Sequence, residues 1–222
     1  MAQVIITGAN RGIGLAITRI LASRGDQVVA VCRETSDELD QLADQVITGI
    51  DVADANSVSG LTTVLAELCP KVDVLINNAG IFENETLDNM AFDQIEQQLQ
   101  INAIAPLRMT MAILPLMSEG GKVANITSRM GSMADNTSGG YYGYRASKAA
   151  LNAFGKSLAM DLEPRGIAVA QLHPGFVQTR MVNFAGDITP EGAATGLVSR
   201  IDALGLRTTG TFWHANGDTL PW

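Results

Sequence analysis

Apolar residues along the chain come in short β-branched runs: Val4–Thr7, Gln27–Cys32, Val46–Ile50, Val72–Ile76, Lys122–Thr127 and Ile167–Leu172. The runs are almost wholly apolar, as strands covered on both faces should be. Between them, helical spacing runs over Gly12–Ser23, Asp54–Leu68, Gln97–Met117 and Tyr144–Leu162. Asp54 and Ser57 suit helix N-termini, and Pro164-Arg165-Gly166 stops the last of these helices. Asp37–Ala43 predicts a short helix, Pro190–Leu204 another, and Thr209–Trp213 a final edge strand. Repeated β-α alternation predicts an α/β architecture: one doubly wound domain over residues 1–222, with a mostly parallel seven-stranded sheet and right-handed crossovers.

Composition narrows the function classes. The 222 residues suit a single domain, and a 46% hydrophobic content excludes a disordered chain. A net charge of −8 disfavours sequence-independent nucleic-acid binding and anionic membrane surfaces. Met1-Ala2-Gln3 leads straight into an apolar strand with no secretory pattern, and no apolar stretch reads as long enough to span a bilayer. A cytoplasmic protein with two reduced thiols, Cys32 and Cys69, is expected.

The first strand runs into Thr7-Gly8-Ala9-Asn10-Arg11-Gly12-Ile13-Gly14, and a helix follows. Glycines let a backbone turn tightly and approach a diphosphate, while the helix N-terminus offers free N–H groups and a favourable dipole. This predicts a Rossmann-type dinucleotide site built from Gly8, Asn10, Arg11, Gly12, Ile13 and Gly14. Tyr144 and Lys148 form a second local motif. Among the three tyrosines, only Tyr144 has a lysine four residues on.

With Thr7 in front, the Gly-x-x-x-Gly-x-Gly spacing resembles the glycine motif of the short-chain dehydrogenase/reductase family. Further family motifs follow in order: Asn77-Asn78-Ala79-Gly80 after the fourth strand, Ser128 closing the fifth, Tyr144-x-x-x-Lys148 and Pro174-Gly175. Asn102 lies in the preceding long helix, where the family carries its catalytic Asn. The resemblance covers essentially the whole chain. Gly139–Lys148 and the Pro221-Trp222 end look like the small carbonyl-reductase and C-factor-like branch. It implies an oxidoreductase with Asn102, Ser128, Tyr144 and Lys148 as catalytic residues. It also implies cofactor contacts from Asp51, Val52, Asn78, Ala79, Gly80, Pro174, Gly175, Val177 and Thr179, besides Tyr144 and Lys148. A homodimer or homotetramer is implied through the helices carrying Asn102 and Tyr144.

The residue types fit that chemistry. Hydride transfer to a carbonyl creates an alkoxide that needs a proton, and a free Tyr, with a pKa of about 10, is a poor acid at neutrality. Lys148, one helical turn on, would lie roughly 6 Å away. At an effective dielectric of about 20 its charge is worth about 3 kcal/mol, or roughly 2 pH units toward phenolate. Side chains alternate along a strand, so one of Thr127 and Ser128 faces the site. The resemblance favours Ser128, as a stabiliser of the oxygen. Asn102 either supports a proton relay from Lys148 or marks a helix bulge or cap.

For the cofactor, a carboxylate ending the second strand would select NAD, but Cys32 and Arg33 stand there. Arg33, with Arg11 across the turn, suits a 2′-phosphate, so NADP(H) is expected over NAD(H). Glu34 either orients Arg33 or weakens phosphate binding. The substrate is expected to be a small carbonyl or alcohol. Rival readings are a non-catalytic cofactor-binding regulator on the same scaffold and an alcohol dehydrogenase working oxidatively. No metal site is expected of His173 and His214. Glu83 and Glu85 read as a solvated loop, and Met109, Met111 and Met117 as helix packing. Met130, Met133 and Met181 either line an adaptable pocket or simply pack. The segment from Arg180 to Thr189, where the family builds its lid, is short, which suggests an open pocket.

Overall fold

All six strand pairings of the central sheet are parallel, so the sheet is wholly rather than mostly parallel. The computed structural model describes residues 1–222. Seven strands, β1 (Gln3–Thr7), β2 (Gln27–Val31), β3 (Gln45–Ile47), β4 (Val72–Asn77), β5 (Met117–Ile126), β6 (Ala168–His173) and β7 (Thr211–His214), stand in the order β3-β2-β1-β4-β5-β6-β7. The order reverses between β1 and β4, so their carboxyl ends flank the crevice where doubly wound sheets bind ligands.

Helices α1 (Gly12–Ser23), α2 (Asp37–Leu42), α3 (Ala55–Ser59), α4 (Leu61–Leu68), α5 (Phe92–Leu99), α6 (Ala105–Ile113), α7 (Tyr142–Leu162) and α8 (Pro190–Ala203) cover both faces. Alternate residues of each strand feed two cores. Val4 and Ile6 of β1 pack with Ile17 and Leu21 of α1 and Leu197 of α8. Ile5 between them packs with Leu65 of α4, Met109 of α6 and Leu162 of α7. Burying each such side chain stabilises the fold by about 1.5–3 kcal/mol.

Several boundaries differ from those expected. The Asp54–Leu68 helix breaks at Gly60, which ends α3 and opens α4; glycine is the weakest helix former after proline. Asp54 caps α3 by accepting from the Asn56 N–H at 2.9 Å, whereas Ser57 instead accepts from the Asp51 N–H at 3.0 Å. The long helix starts at Phe92 rather than Gln97, and a π-helical turn over Gln100–Ile104 joins α5 to α6. It ends before Met117, which opens β5 opposite Val72, five residues ahead of the expected start. Met117 and Met109 are buried, but Met111 is exposed and does not pack. Strand β3 stops at Ile47 rather than Ile50, and α7 starts at Tyr142 rather than Tyr144.

The joined run Phe92–Leu116 is long and apolar enough by composition to cross a membrane, contrary to the reading of the strand-and-helix pattern. In this fold its residues Ala105, Met109 and Ile113 are buried against the sheet. Cys32 and Cys69 are buried free thiols.

Candidate active site

The glycine turn is locked to the segment after β4. Gly8, with φ +66°, donates its N–H to the Val31 carbonyl at 3.0 Å. Asn78 Nδ2 donates to the carbonyls of Thr7 (3.0 Å) and Gly8 (2.9 Å). Thr7 Oγ1 accepts from the N–H groups of Asn78 and Ala79 at 3.0 and 3.1 Å. A Cβ on Gly8 would sit 2.9 Å from the Ala79 Cα, and one on Gly14 would meet the Gly8 carbonyl and Asn78 Nδ2. Both positions therefore require glycine for space, and Gly8 for its left-handed backbone as well.

Helix α1 begins without a side-chain cap. Its first N–H groups have no intrahelical acceptor, which leaves them for a ligand phosphate. Gly12, with φ +56°, lies under Thr179, whose Cγ2 would be 3.4 Å from an added Cβ. The segment after β6, Pro174 to Thr179, thereby closes over the glycine turn; Pro174 and Val177 are buried and Gly175 has φ +94°. Arg11 and Arg33 are both exposed and neither forms an ion pair, so Glu34 does not neutralise Arg33. Asp51 Oδ1 accepts from the Ala53 N–H at 2.9 Å, and Arg108 pins the Val52 carbonyl at 3.1 Å. Free N–H groups, a glycine floor without side chains and unpaired cations fit a dinucleotide phosphate chain.

Tyr144, Lys148, Ser128 and Asn102 converge beside this turn, and all four are buried. Ser128 Oγ accepts from the Met130 N–H at 3.1 Å, capping a 3₁₀ turn over Arg129–Gly131, and its hydroxyl acts on the Tyr144 phenol. Thr127 points the other way and donates to Asn152 Oδ1 at 2.8 Å. Strand alternation thus leaves Ser128 facing the site. Lys148 Nζ donates to the Ile126 carbonyl at 2.9 Å and lies 5.8 Å from the Tyr144 ring centroid.

Burial pushes the Tyr144 phenol up to about 12, against a smaller lowering by the Ser128 hydroxyl. Burial also pulls Lys148 down to about 8. Desolvation of the chain alone therefore outweighs the downward pull of Lys148 expected on the phenol.

Asn102 sits in the π turn. Its Oδ1 accepts from the Ile81 N–H at 2.9 Å, and its Nδ2 donates to the Ile81 carbonyl (2.9 Å) and Ser147 Oγ (3.1 Å). A π turn inserts a residue into the helix, a common device at functional sites. Gly80 bridges Asn102 and Lys148: a Cβ there would lie 3.1 Å from Asn102 Oδ1 and 3.8 Å from Lys148 Nζ.

The loop from Arg129 to Tyr141 wraps the site. Trp222 closes it from the chain end, its carbonyl accepting from Ser132 Oγ and the Ala134 N–H, both at 3.1 Å. Gly131 lies against α7, where a Cβ would sit 2.7 Å from the Lys148 carbonyl carbon. Phe82 packs edge-on to Tyr144 at 4.8 Å and against Tyr141 at 5.5 Å, giving the phenol an apolar wall. Met133 and Met181 are exposed. The short segment after Thr179 forms one 3₁₀ turn, with Asn183 and Phe184 left-handed. His173 and His214 stack edge to face at 4.9 Å, and burial holds His173 down at about 3.

Glu85 departs from its expected solvated loop: it is fully buried. Glu83 is half-buried, its N–H donating to Gln98 Oε1 at 3.0 Å. Glu85, Gln98, Gly131 and Phe82 were missed by motif reading because their partners are distant in sequence. The glycine of Arg129-Met130-Gly131 was the only local signal among them.

A model of the short chain dehydrogenase family matches residues 2–187. The chain is 41% identical over 226 residues to 1-hydroxy-2-glutathionyl-2-methyl-3-butene dehydrogenase of Rhodococcus sp. (strain AD45), covering 100% of both chains. It is 42% identical over 154 residues to C-signal of Myxococcus xanthus, covering 68% of this chain and 93% of that one. Its fold is similar to that of an NADPH-bound carbonyl reductase from chicken fatty liver, with a TM-score of 0.91, 30% identity, and coverage of 100% of this chain and 99% of that one.

Proposed function

Because the chain belongs to the short-chain dehydrogenase/reductase family of oxidoreductases, we propose that it is an NADPH-dependent carbonyl reductase converting a ketone or aldehyde to an alcohol. The observation that carries this is the meeting of the Ser128 hydroxyl, the Tyr144 phenol and the Lys148 ammonium beside the glycine turn. A bound reduced nicotinamide would supply the hydride. The substrate oxygen accepts hydrogen bonds from Ser128 and Tyr144, which orients the carbonyl and stabilises charge as it develops on oxygen. Tyr144 gives its phenolic proton to that oxygen. Lys148 stabilises the phenolate left behind and passes it a proton drawn from solvent past Asn102, whose Oδ1 keeps one lone pair beyond its bond to Ile81. The ring of Phe82 keeps water from the phenol.

The NADP(H) preference rests on Arg11 and Arg33, exposed and without carboxylate partners. It draws support from the NADPH-bound carbonyl reductase of chicken fatty liver. Charge-assisted bonds to a phosphate are worth about 1.5–3 kcal/mol each. Arg33→Ala should therefore raise KM for NADPH roughly 10-fold or more and leave KM for NADH unchanged. Equal changes for the two cofactors would refute the preference. The function itself is tested by following NADPH oxidation with a panel of ketones and aldehydes; consumption no faster than without carbonyl would reject it.

The oxidative direction is the second reading, favoured by the Rhodococcus relative named as a dehydrogenase. The same groups serve both directions, so NADP⁺ reduction by primary and secondary alcohols separates them. A signalling role without turnover, favoured by the relative named C-signal, predicts cofactor binding with no consumption in either assay. Assembly into a dimer or tetramer through α5, α6 and α7 is proposed with this function and is read by sedimentation.

A further inference from the structure

Glu85 is a carboxylate with 0% exposure and no cationic partner. Buried carboxylates persist only when donors satisfy them. Its Oε1 accepts from Gln98 Nε2 at 2.6 Å, and its Oε2 accepts from the Gly143 N–H at 2.9 Å. Its own carbonyl accepts from the Tyr141 N–H at 2.9 Å. Gly143 lies in the first turn of α7, one residue before Tyr144, where helix N–H groups have no intrahelical acceptor and the helix dipole favours negative charge.

Gln98 completes the device. Its Oε1 accepts from the Glu83 N–H at 3.0 Å, so one side chain on α5 ties the loop to Glu85. A Cβ at Gly143 would lie 2.5 Å from Gln98 Nε2, 2.9 Å from the Ile95 Cα and 3.0 Å from Glu85 Oε1. Helix α7 is therefore seated directly on α5 and on this carboxylate. Tyr141, just before it, is held left-handed at φ +55°. That conformation is uncommon for a bulky residue and persists only where its surroundings fix it.

We propose that Glu85 is a positioning residue: its carboxylate, oriented by Gln98, fixes the start of α7 so that the Tyr144 phenol faces Ser128 and Lys148. This rests on Tyr144 being the acid of the proposed reaction. Glu85 touches neither substrate nor cofactor in this account; it acts through the helix.

The hydrogen-bond inventory gives a strict test. In Glu85→Gln, the new amide oxygen can still accept from Gly143, but its NH₂ then faces the NH₂ of Gln98. Turning Gln98 over relieves that conflict and places its NH₂ against the Glu83 N–H. Either way two donors oppose each other. In the exchange Glu85→Gln/Gln98→Glu, the new amide donates to the new carboxylate while its oxygen accepts from Gly143, and the carboxylate accepts from the Glu83 N–H; every bond is restored, with only the side-chain pair reversed.

Both variants, the wild type and Tyr144→Phe are assayed for NADPH-dependent carbonyl reduction across pH, with melting curves alongside. Glu85→Gln should lower kcat about tenfold. It should shift the pH limb carried by Tyr144 and leave KM for NADPH within about twofold of wild type, because the glycine turn is untouched. The exchange should restore kcat and the limb. A Glu85→Gln protein that folds and keeps both kcat and pH profile overturns the proposal. So does a folded exchange variant as slow as the single one. If Glu85→Gln does not fold, Gln98→Met removes only one bond to the carboxylate and should show the same split in milder form; unchanged kcat there also overturns it. Tyr144→Phe separates the two levels. If it turns over within a few-fold of wild type, the acid assignment itself fails. If it is silent while Glu85→Gln is fully active, only the positioning role fails.

Discussion

Lys148 is a buried ammonium whose only hydrogen-bond acceptor is the Ile126 carbonyl, and burial lowers it to about 8 from the usual 10.5. The unfolded chain therefore binds more protons than the folded one between those values, and stability rises as pH climbs from about 8 to about 10.5. Lys148→Met should lose this rise. Melting temperatures of the two proteins at pH 7, 9 and 10.5 should diverge toward high pH, the wild type gaining on the variant; parallel curves would contradict the burial cost assigned to Lys148. The same titration bears on turnover: reduction should slow as pH rises through about 8. Tyr144 is raised by the same desolvation. A second positive charge from a bound oxidised nicotinamide would act in the opposite sense. At this scale the local motif was legible: Tyr144-x-x-x-Lys148 needs only helix geometry. The choice between Thr127 and Ser128 followed from strand alternation once the structure fixed the phase. Glu85 was not legible, because its burial depends on Gln98, 13 positions away, and Gly143, 58 positions away.

Elements position these residues through close backbone approaches. The 3₁₀ turn after Ser128 leans on α7 at Gly131, where a Cβ would lie 2.7 and 2.8 Å from the Lys148 carbonyl carbon and oxygen. Neither neighbour is a flexible side-chain end, so backbone must shift. Gly131→Ala should cost about 1–3 kcal/mol of stability and reduce kcat while sparing KM for NADPH. An active variant melting at the wild-type temperature would show that this contact does not hold the site. The helix break at Gly60 carried a visible sign, the glycine itself, yet the apolar spacing continued across it. The π turn at Asn102 carried one faint sign, the mid-helix Asn itself, which left a relay, a bulge or a cap open; an inserted residue leaves hydrophobic periodicity nearly intact.

Across the whole molecule, function follows from the reversal of strand order between β1 and β4. That reversal opens a crevice at the carboxyl ends of the strands, and the glycine turn, Asn78 and the segment after β6 meet there. Wholly apolar runs made the layered architecture legible, since such strands imply helices on both faces, while the strand order came only with the structure. The Arg129–Tyr141 loop that wraps the site was less legible, because its shape depends on a distant anchor, Trp222. The central claim is that Tyr144 donates the proton. Its most direct test is single-substitution kinetics of Tyr144→Phe with NADPH and a reducible carbonyl. The account predicts a loss in kcat of about 10²–10⁴-fold with KM for NADPH and the melting temperature nearly unchanged. Turnover by Tyr144→Phe within a few-fold of wild type would contradict it.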